Sequence, residues 1–198
     1  MIKQMLLALV VLTAFATTTP ALAQNTFARG NKNLSLGIGV GSYFGPFGST
    51  LGGDGYRFSL PPISLSYEQC ILDNIIRDNG SIGVGGYASV ATNKWTSSLA
   101  GSDYGYRYTY LTFGARGAFH YRFVDALDTY AGTMLGYNIV SHKAIGTWAD
   151  DRSYSATANG FAYMAFVGAR YAFSDLLSVY AEAGYGISAL EIGLTLKL

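Results

Sequence analysis

Hydrophobic and polar residues alternate along most of this chain with a period of two. In the longest such stretch, apolar side chains occupy one parity and glycine or polar residues the other: Leu111, Phe113, Ala115, Phe119 and Tyr121 against Thr112, Gly114, Arg116, His120 and Arg122. A period of two places successive side chains on opposite sides of a β-strand. The stretch therefore predicts a strand with one apolar and one polar face.

The same alternation recurs along the chain. It predicts six more strands, in Leu34–Gly41, Ser81–Val90, Thr129–Ile139, Phe161–Phe173, Leu177–Tyr185 and Ile192–Leu198. An eighth lies within Tyr56–Glu68, where Pro61 and Pro62 cannot donate ladder hydrogen bonds. Its phase stays open, because either a bulge sits at the prolines or the strand begins after them. Eight strands suit a closed up-and-down barrel.

The composition of the two faces distinguishes a membrane barrel from a soluble one. In a soluble barrel the apolar face points inward and packs as a core. Here the second face is glycine, small polar residues and isolated charges, which cannot form a dense apolar core but can line a narrow polar lumen. The sequence therefore predicts an all-β protein, an eight-stranded antiparallel up-and-down transmembrane β-barrel.

The segments between the strands predict which end of the barrel faces the periplasm. Val124–Asp128 and Ser174–Leu176 are short, as periplasmic turns are, and Ser188–Leu190 predicts an almost absent outer loop. The long outer loops are predicted at Gly45–Gly55, Ala91–Asp103 and Ser141–Asn159. Cys70–Gly80 is long for a periplasmic turn, and its Ile and Leu residues suggest a short helix or cap.

The N-terminus has the three parts of a secretory signal peptide. Lys3 provides the positive charge, Met5–Ala16 is apolar, and Ala21-Leu22-Ala23 is a small-residue cleavage pattern. The apolar run is shorter than the roughly 20 residues of a spanning helix. We expect residues 1–23 to be removed, leaving a single barrel domain of residues 24–198 that begins at Gln24.

Charge and cysteine content exclude several classes of partner and stabilisation. Without Lys3, 12 basic residues balance 12 acidic ones, so no nucleic-acid partner is expected. Cys70 is the single cysteine, so an intramolecular disulfide is excluded. We interpret Cys70 as a small, partly buried residue.

Several segments resemble the small eight-stranded outer-membrane barrels of the OmpA, OmpX and OmpW type, and most of all the outer membrane protein beta-barrel domain family. The likeness lies in Gly80–Tyr87, Thr129–Asn138, Val167–Tyr171, Ala181–Gly186 and Ile192–Leu198. It implies a bacterial outer-membrane location and porin-like architecture, with periplasmic chaperones and the insertion machinery as partners during assembly. The family usually ends on Phe, whereas this chain ends Leu196-Lys197-Leu198.

The polar faces carry the charges that define the candidate site. Arg116, Arg170, Glu182 and Lys197 fall on polar faces, and Glu68 joins them if its strand is in the later register. A charge in a narrow lumen is costly unless paired, and Arg–carboxylate pairs satisfy it. The network is interpreted as a structural plug, with a gate that opens when pairing switches as the functional alternative.

Other candidates for chemistry are weaker. Tyr104, Tyr106, Tyr108 and Tyr110 share the Arg116 face and should point inward, where they would fill the barrel mouth or form a stacking wall; Trp95 and Trp148 are assigned to the bases of outer loops. Catalysis would need a base, and His142 beside Ser141 is the one candidate, since His120 points inward near the periplasmic end. Asp150 and Asp151 are too few carboxylates for a convincing cation site.

The sequence thus predicts a non-enzymatic outer-membrane barrel with a structural or surface-interaction role and no cofactor, metal or catalytic residues. The alternatives are a narrow pore or conduit for small hydrophobic solutes and, more distantly, a lipid A-modifying enzyme. Outer-membrane lipids and lipopolysaccharide are the expected surroundings, and a monomer is expected.

Overall fold

The computed structural model describes residues 27–40, 56–76, 78–99, 102–124, 126–146 and 159–198, and the proposed signal peptide lies outside them. Eight antiparallel strands close into a barrel in chain order, with β8 returning to β1. Their bounds are β1 Lys32–Val40, β2 Tyr56–Ile75, β3 Gly80–Leu99, β4 Ser102–Val124, β5 Leu127–Gly146, β6 Gly160–Ala172, β7 Leu177–Tyr185 and β8 Leu190–Lys197. The predicted fold class is confirmed.

The second strand resolves the question raised by the two prolines. Its register against β3 shifts between Phe58 and Leu60 and again between Leu60 and Ile63, so irregular pairing absorbs the Pro61-Pro62 pair and the strand does not start after it. Beyond the prolines, Ile63 and Leu65 are exposed on the outside, and Glu68 points inward.

Two predicted connections are wrong because the strands are longer than the alternation indicated. The predicted helix or cap at Cys70–Gly80 is strand as far as Ile75, with register shifts between Cys70 and Leu72 and between Leu72 and Ile75. Each shift moves the side chains that follow it to the opposite face of the strand. The apolar residues of this segment therefore do not alternate regularly with polar ones, as they would in an unbroken strand. The predicted outer loop Ala91–Asp103 is a hairpin whose strands pair up to Leu99 and Ser102, because polar residues outside the membrane can still form a ladder.

The barrel wall is much taller on one side than on the other. β3, β4 and β5 have 20, 23 and 20 residues, whereas β7, β8 and β1 have 9, 8 and 9. β5 continues to Gly146 within the predicted loop Ser141–Asn159. The rest of that loop, residues 147–158, and the predicted loop Gly45–Gly55 lie outside the described residues. We call the end with the short connections 125–126 and 173–176 the lower end, which is the periplasmic end in barrels of this kind.

The outer surface is apolar, as the sequence predicts, and the interior holds the buried polar and charged side chains together with an apolar cluster that the sequence did not predict. Leu135 is 56% exposed and Phe123 70% exposed, while Ser64, Thr112 and Thr195 are buried. Aromatic side chains form two belts on the outer wall: Phe113, Tyr137, Phe161, Tyr163 and Tyr185 toward the upper end, and Tyr121, Phe123 and Tyr171 toward the lower end. This is the arrangement of a transmembrane β-barrel of the bacterial outer membrane.

The interior is filled by side chains. Tyr87, Ala118, Tyr130, Met134, Met164, Phe166 and Ile187 form a buried cluster. Ile187 belongs to the short connection between β7 and β8, in which Gly186 adopts a positive φ of 133°. Ile187 and the neighbouring Ser188 are both buried. The predicted near-absence of the last outer loop is confirmed, although Leu190 belongs to β8. Among the described residues, helices long and apolar enough to cross a membrane do not occur.

Candidate functional site: the lumen

Four ionisable side chains from four strands meet in the lower part of the lumen. His120 of β4 lies between two carboxylates, with Nε2 3.0 Å from Glu68 Oε1 and Nδ1 3.0 Å from Asp128 Oδ2. Arg170 of β6 contacts the same two acids, donating to Asp128 Oδ2 at 3.1 Å and to Glu68 Oε2 at 3.4 Å. All four side chains are buried. We call this group the lower charge cluster.

The two contacts of His120 indicate how the charges of the lower charge cluster are balanced. An ionised carboxylate can only accept hydrogen bonds, so both ring nitrogens are satisfied when the ring is an imidazolium with a proton on each. Two carboxylates then face one guanidinium and one imidazolium, and the cluster is neutral. Neutrality matters here because an unpaired buried charge would cost about 3–5 kcal/mol.

The segment before β1 covers the lower charge cluster. The buried ring of Phe27 lies over His120, with ring centroids 4.1 Å apart. The segment is held by backbone hydrogen bonds from Gly30 N to the Cys70 carbonyl and from Cys70 N to the Asn31 carbonyl. A cavity of about 20 Å³ remains beside His120 and Asp128, which is room for roughly one water molecule. We call Phe27–Asn31 the lower strap.

A second ion pair lies higher in the lumen. Arg116 of β4 donates from Nη2 to Glu182 Oε1 at 2.9 Å, and the Tyr130 hydroxyl donates to the same oxygen at 3.0 Å. The Arg116 guanidinium also stacks on Phe166, 4.2 Å from the ring centroid. The pair is therefore held on one side by a hydroxyl and on the other by a cation–π contact.

Glu191 forms a third polar group without a cation. Its carboxylate accepts from Ser64 Oγ at 2.6 Å, from the Tyr180 hydroxyl at 2.7 Å and from the Tyr87 hydroxyl at 3.3 Å. Within the described ranges no lysine or arginine pairs with it. Three hydroxyl donors replace the counter-ion and hold the carboxylate in place.

The residues that the sequence singled out meet only in part. Glu68 and Arg170 lie together in the lower charge cluster, and Arg116 pairs with Glu182 in the separate higher pair. Lys197 is half-buried at the lower end of β8 opposite Asn33, and its ammonium lies 3.2 Å from the amide oxygen of Asn31 in the orientation that satisfies that amide. The single predicted network is therefore two ion-paired groups, with Lys197 at the rim.

Sequence reasoning missed Asp128 and Glu191 and left His120 outside the network. Asp128 was assigned to a turn, but β5 begins at Leu127. Glu191 stands directly after the predicted loop Ser188–Leu190 and in fact belongs to β8. Both residues have inward parity, two positions before Tyr130 and Gly193, so extending each alternation by one period would have found them.

The other candidates for chemistry do not form a reactive site. Tyr110 is buried on the inward side as predicted, Tyr108 is half-buried, and Tyr106 is exposed because the wall here extends beyond the closed part of the barrel. His142 lies within β5 and not in a loop, its ring 6.0 Å from that of Tyr108. Since adjacent strand residues point to opposite faces, Ser141 is directed away from His142 and the two cannot act as nucleophile and base.

Trp95 lies on β3 opposite Tyr106 and not at a loop base. Trp148, Asp150 and Asp151 lie outside the described residues. In the part of the chain that the structure covers, no group of three or more His, Cys, Asp or Glu residues could hold a metal ion. Cys70 is buried, and its thiol donates to the Leu72 carbonyl at 3.4 Å.

No protein-family model and no curated protein matches the chain. Among solved structures the chain is similar to Ail, the attachment invasion locus protein of Yersinia pestis, in complex with the heparin analogue sucrose octasulfate. The sequence identity is 11% and the TM-score 0.45, and the match covers 86% of this chain and 96% of that one. A second Ail structure matches at 9% identity, a TM-score of 0.44 and the same coverage. The N-terminal beta-barrel domain of Pseudomonas aeruginosa OprF matches at 12% identity and a TM-score of 0.37, covering 86% and 98%. The assignment of this chain as an outer-membrane barrel rests on its own closed ladder and apolar outer wall.

Proposed function

We propose that this protein is a closed, non-conducting and non-enzymatic outer-membrane barrel with a structural or surface-interaction role. The observation that carries the proposal is the filled lumen. Met134 is completely buried at the level of Arg116, where Met164 and Phe166 contribute to the same buried cluster. An eight-stranded barrel is narrow enough for its own side chains to fill the interior, and here they occupy it at this level.

The buried ion pairs also block the lumen, in addition to the apolar side chains that fill it. An ion entering from below would have to displace the lower strap and then separate His120 or Arg170 from its carboxylates. Breaking a buried pair leaves an uncompensated charge and costs about 3–5 kcal/mol. The network is therefore a barrier to ions as well as a support for the wall.

Conductance of the refolded protein in planar bilayers tests the proposal. We expect no stable channels from the native protein. A double variant, Met134→Ala with Phe166→Ala, removes the side chains that fill the lumen at the level of Arg116 and should open a measurable leak. The matched control, Leu135→Ala with Val167→Ala, shortens neighbouring side chains that face the lipid and should stay silent.

Stable, reproducible native channels that change on Glu182→Ala would contradict the closed barrel and favour the narrow-pore alternative. The non-enzymatic part has its own test, which is the mass spectrum of lipid A from cells that overproduce the protein. We expect an unchanged spectrum, and a new lipid A mass that depends on His142 would favour the enzyme instead.

A further inference from the structure

Three basic side chains lie side by side on the tall part of the barrel wall. The register pairs Arg107 of β4 directly with Lys94 of β3 on one side and with Lys143 of β5 on the other. On its other side β3 pairs with β2, where Lys94 is in register with Arg57. We call Lys94, Arg107 and Lys143 the basic row.

The basic row faces away from the barrel. Arg107 has the parity of Leu111 and Phe113, which are exposed on the outer wall, and β4 shows no register shift against either neighbour over this part. Arg107 and Lys143 are exposed and Lys94 is half-exposed. The row is thus on the same surface as the lipid-facing side chains.

Like charges directly opposite each other on neighbouring strands destabilise a sheet, because their Cβ atoms are only about 5 Å apart. Among the described residues none of the three forms an ion pair. A bound anion would convert this mutual repulsion into attraction.

The height of the basic row indicates what kind of anion is available. The outward side chains of β4 and its neighbours change in three steps: an apolar row at Val90, Leu111 and Ile139, a hydroxyl row at Thr92, Thr109 and Ser141, and then the basic row. Four residues at about 3.3 Å each place Arg107 roughly 13 Å along the strand from Leu111. With the usual strand tilt of about 40° this is roughly 10 Å above the Leu111 row, just beyond a headgroup layer of about 5–8 Å, and the long basic side chains can reach back to that layer.

We propose that the basic row binds the phosphate groups of a phosphorylated glycolipid in the outer leaflet, of the lipid A type. A lipid is the occupant that the position favours, because its acyl chains can lie along the apolar wall directly below while its phosphates reach the three cations. The Arg107 guanidinium offers a planar fork for phosphate oxygens, and the two flanking ammonium groups add point charges. The site is on the outside of the wall, so it does not depend on whether the lumen conducts.

The test compares two triple variants in a non-ionic detergent, with native mass spectrometry counting bound lipid. Lys94→Gln with Arg107→Gln and Lys143→Gln removes the charge, and Lys94→Arg with Arg107→Lys and Lys143→Arg keeps it. The probes are bisphosphorylated lipid A, its monophosphorylated form and phosphatidylcholine. A heat-dependent mobility shift on SDS gels checks that each variant is folded, and the three single Gln variants replace the triple if it does not fold.

We expect the native protein and the charge-retaining variant to bind bisphosphorylated lipid A most tightly, the monophosphorylated form less tightly and phosphatidylcholine least. Neutralising the row should weaken lipid A binding roughly a hundredfold, since each basic residue near an anionic lipid surface contributes about fivefold. Equal lipid A binding by all variants, or no preference for phosphorylated lipid, would overturn the proposal. So would full competition by millimolar inorganic phosphate, because the site would then bind a free anion and not the lipid.

Discussion

Inward aromatic rings in this barrel lie against inward glycines. A Cβ on Gly168 would stand 2.6 Å from the Tyr130 ring, and one on Gly132 would stand 2.7 Å from Cζ of Phe166. A Cβ on Gly37 would collide with the Tyr180 hydroxyl. The inward glycines are therefore the space into which the lumen-filling rings fit, which explains why glycine alternates with apolar residues along the strands.

Gly168→Ala should destabilise the barrel by about 1–3 kcal/mol, the usual cost of overpacking a filled interior. The Tyr130 ring cannot move aside easily, because its hydroxyl is bonded to Glu182 and the ring is buried. The free energy of unfolding, from urea titration of the protein in lipid vesicles, measures the effect. The control is Gly160→Ala on the same strand, where a Cβ meets nothing within 4 Å and stability should hardly change.

Arg170→Met should be more damaging. It leaves Glu68 and Asp128 with one imidazolium between them, so the lower charge cluster gains an unbalanced buried charge, and we expect a loss of about 3–5 kcal/mol in the same titration. Arg107→Met removes the same kind of charge from an exposed site and should change stability by less than about 0.5 kcal/mol. Equal effects of the two variants would mean that the buried pairs do not stabilise the fold.

At this scale the sequence predicted the faces of individual residues well and their partners poorly. Parity alone placed Arg116, Arg170 and Glu182 inside. It could not show that Arg170 contacts Asp128 and Glu68 while Arg116 contacts Glu182, because pairing across the lumen depends on strand stagger, which a single strand's pattern does not contain.

At the scale of single elements, the lower strap should control how fast the Cys70 thiol can be labelled. Cys70 is held by backbone hydrogen bonds to the strap and is buried, so its thiol should react slowly with a maleimide in the folded barrel. Phe27→Ala removes the ring that anchors the strap over His120. Labelling should then become faster by roughly tenfold or more, since a loss of only 1.4 kcal/mol of local packing raises the open fraction that much.

Phe123→Ala is the matched control for the strap, because Phe123 is an exposed ring on the outer wall toward the same end of the barrel. Its removal should leave Cys70 slow to label. If both variants label at the native rate, Phe27 does not hold the strap closed.

The strand ends were the elements least visible in the sequence. Alternation stops being informative where the wall rises above its apolar band, since polar residues then occupy both faces, as in Thr92–Lys94. The register shifts near Pro61 and after Cys70 likewise reset the pattern. The eight strands could thus be predicted, but the one-sided height of the wall could not.

For the whole molecule, the closed ladder predicts a folded form that resists SDS at room temperature. We expect the protein from detergent or vesicles to run at a different apparent mass before and after boiling, because every strand, including those at the chain ends, is paired on both sides. The check is a gel of boiled and unboiled samples. Identical mobility together with solubility in the absence of detergent would contradict a membrane barrel.

Seven of the eight ladders join consecutive strands, and the last one joins β1 to β8. That seam pairs Asn33 with Lys197 and Val40 with Leu190 through eight residue pairs, against twenty between β3 and β4. The hairpins are local and can form early, whereas the seam must first bring together chain segments about 150 residues apart, and that search slows folding. We therefore expect closure of this seam to limit the rate of assembly. Substitutions along β1 should then slow refolding from a state with the hairpins already formed more than equally destabilising ones in the β3–β4 hairpin.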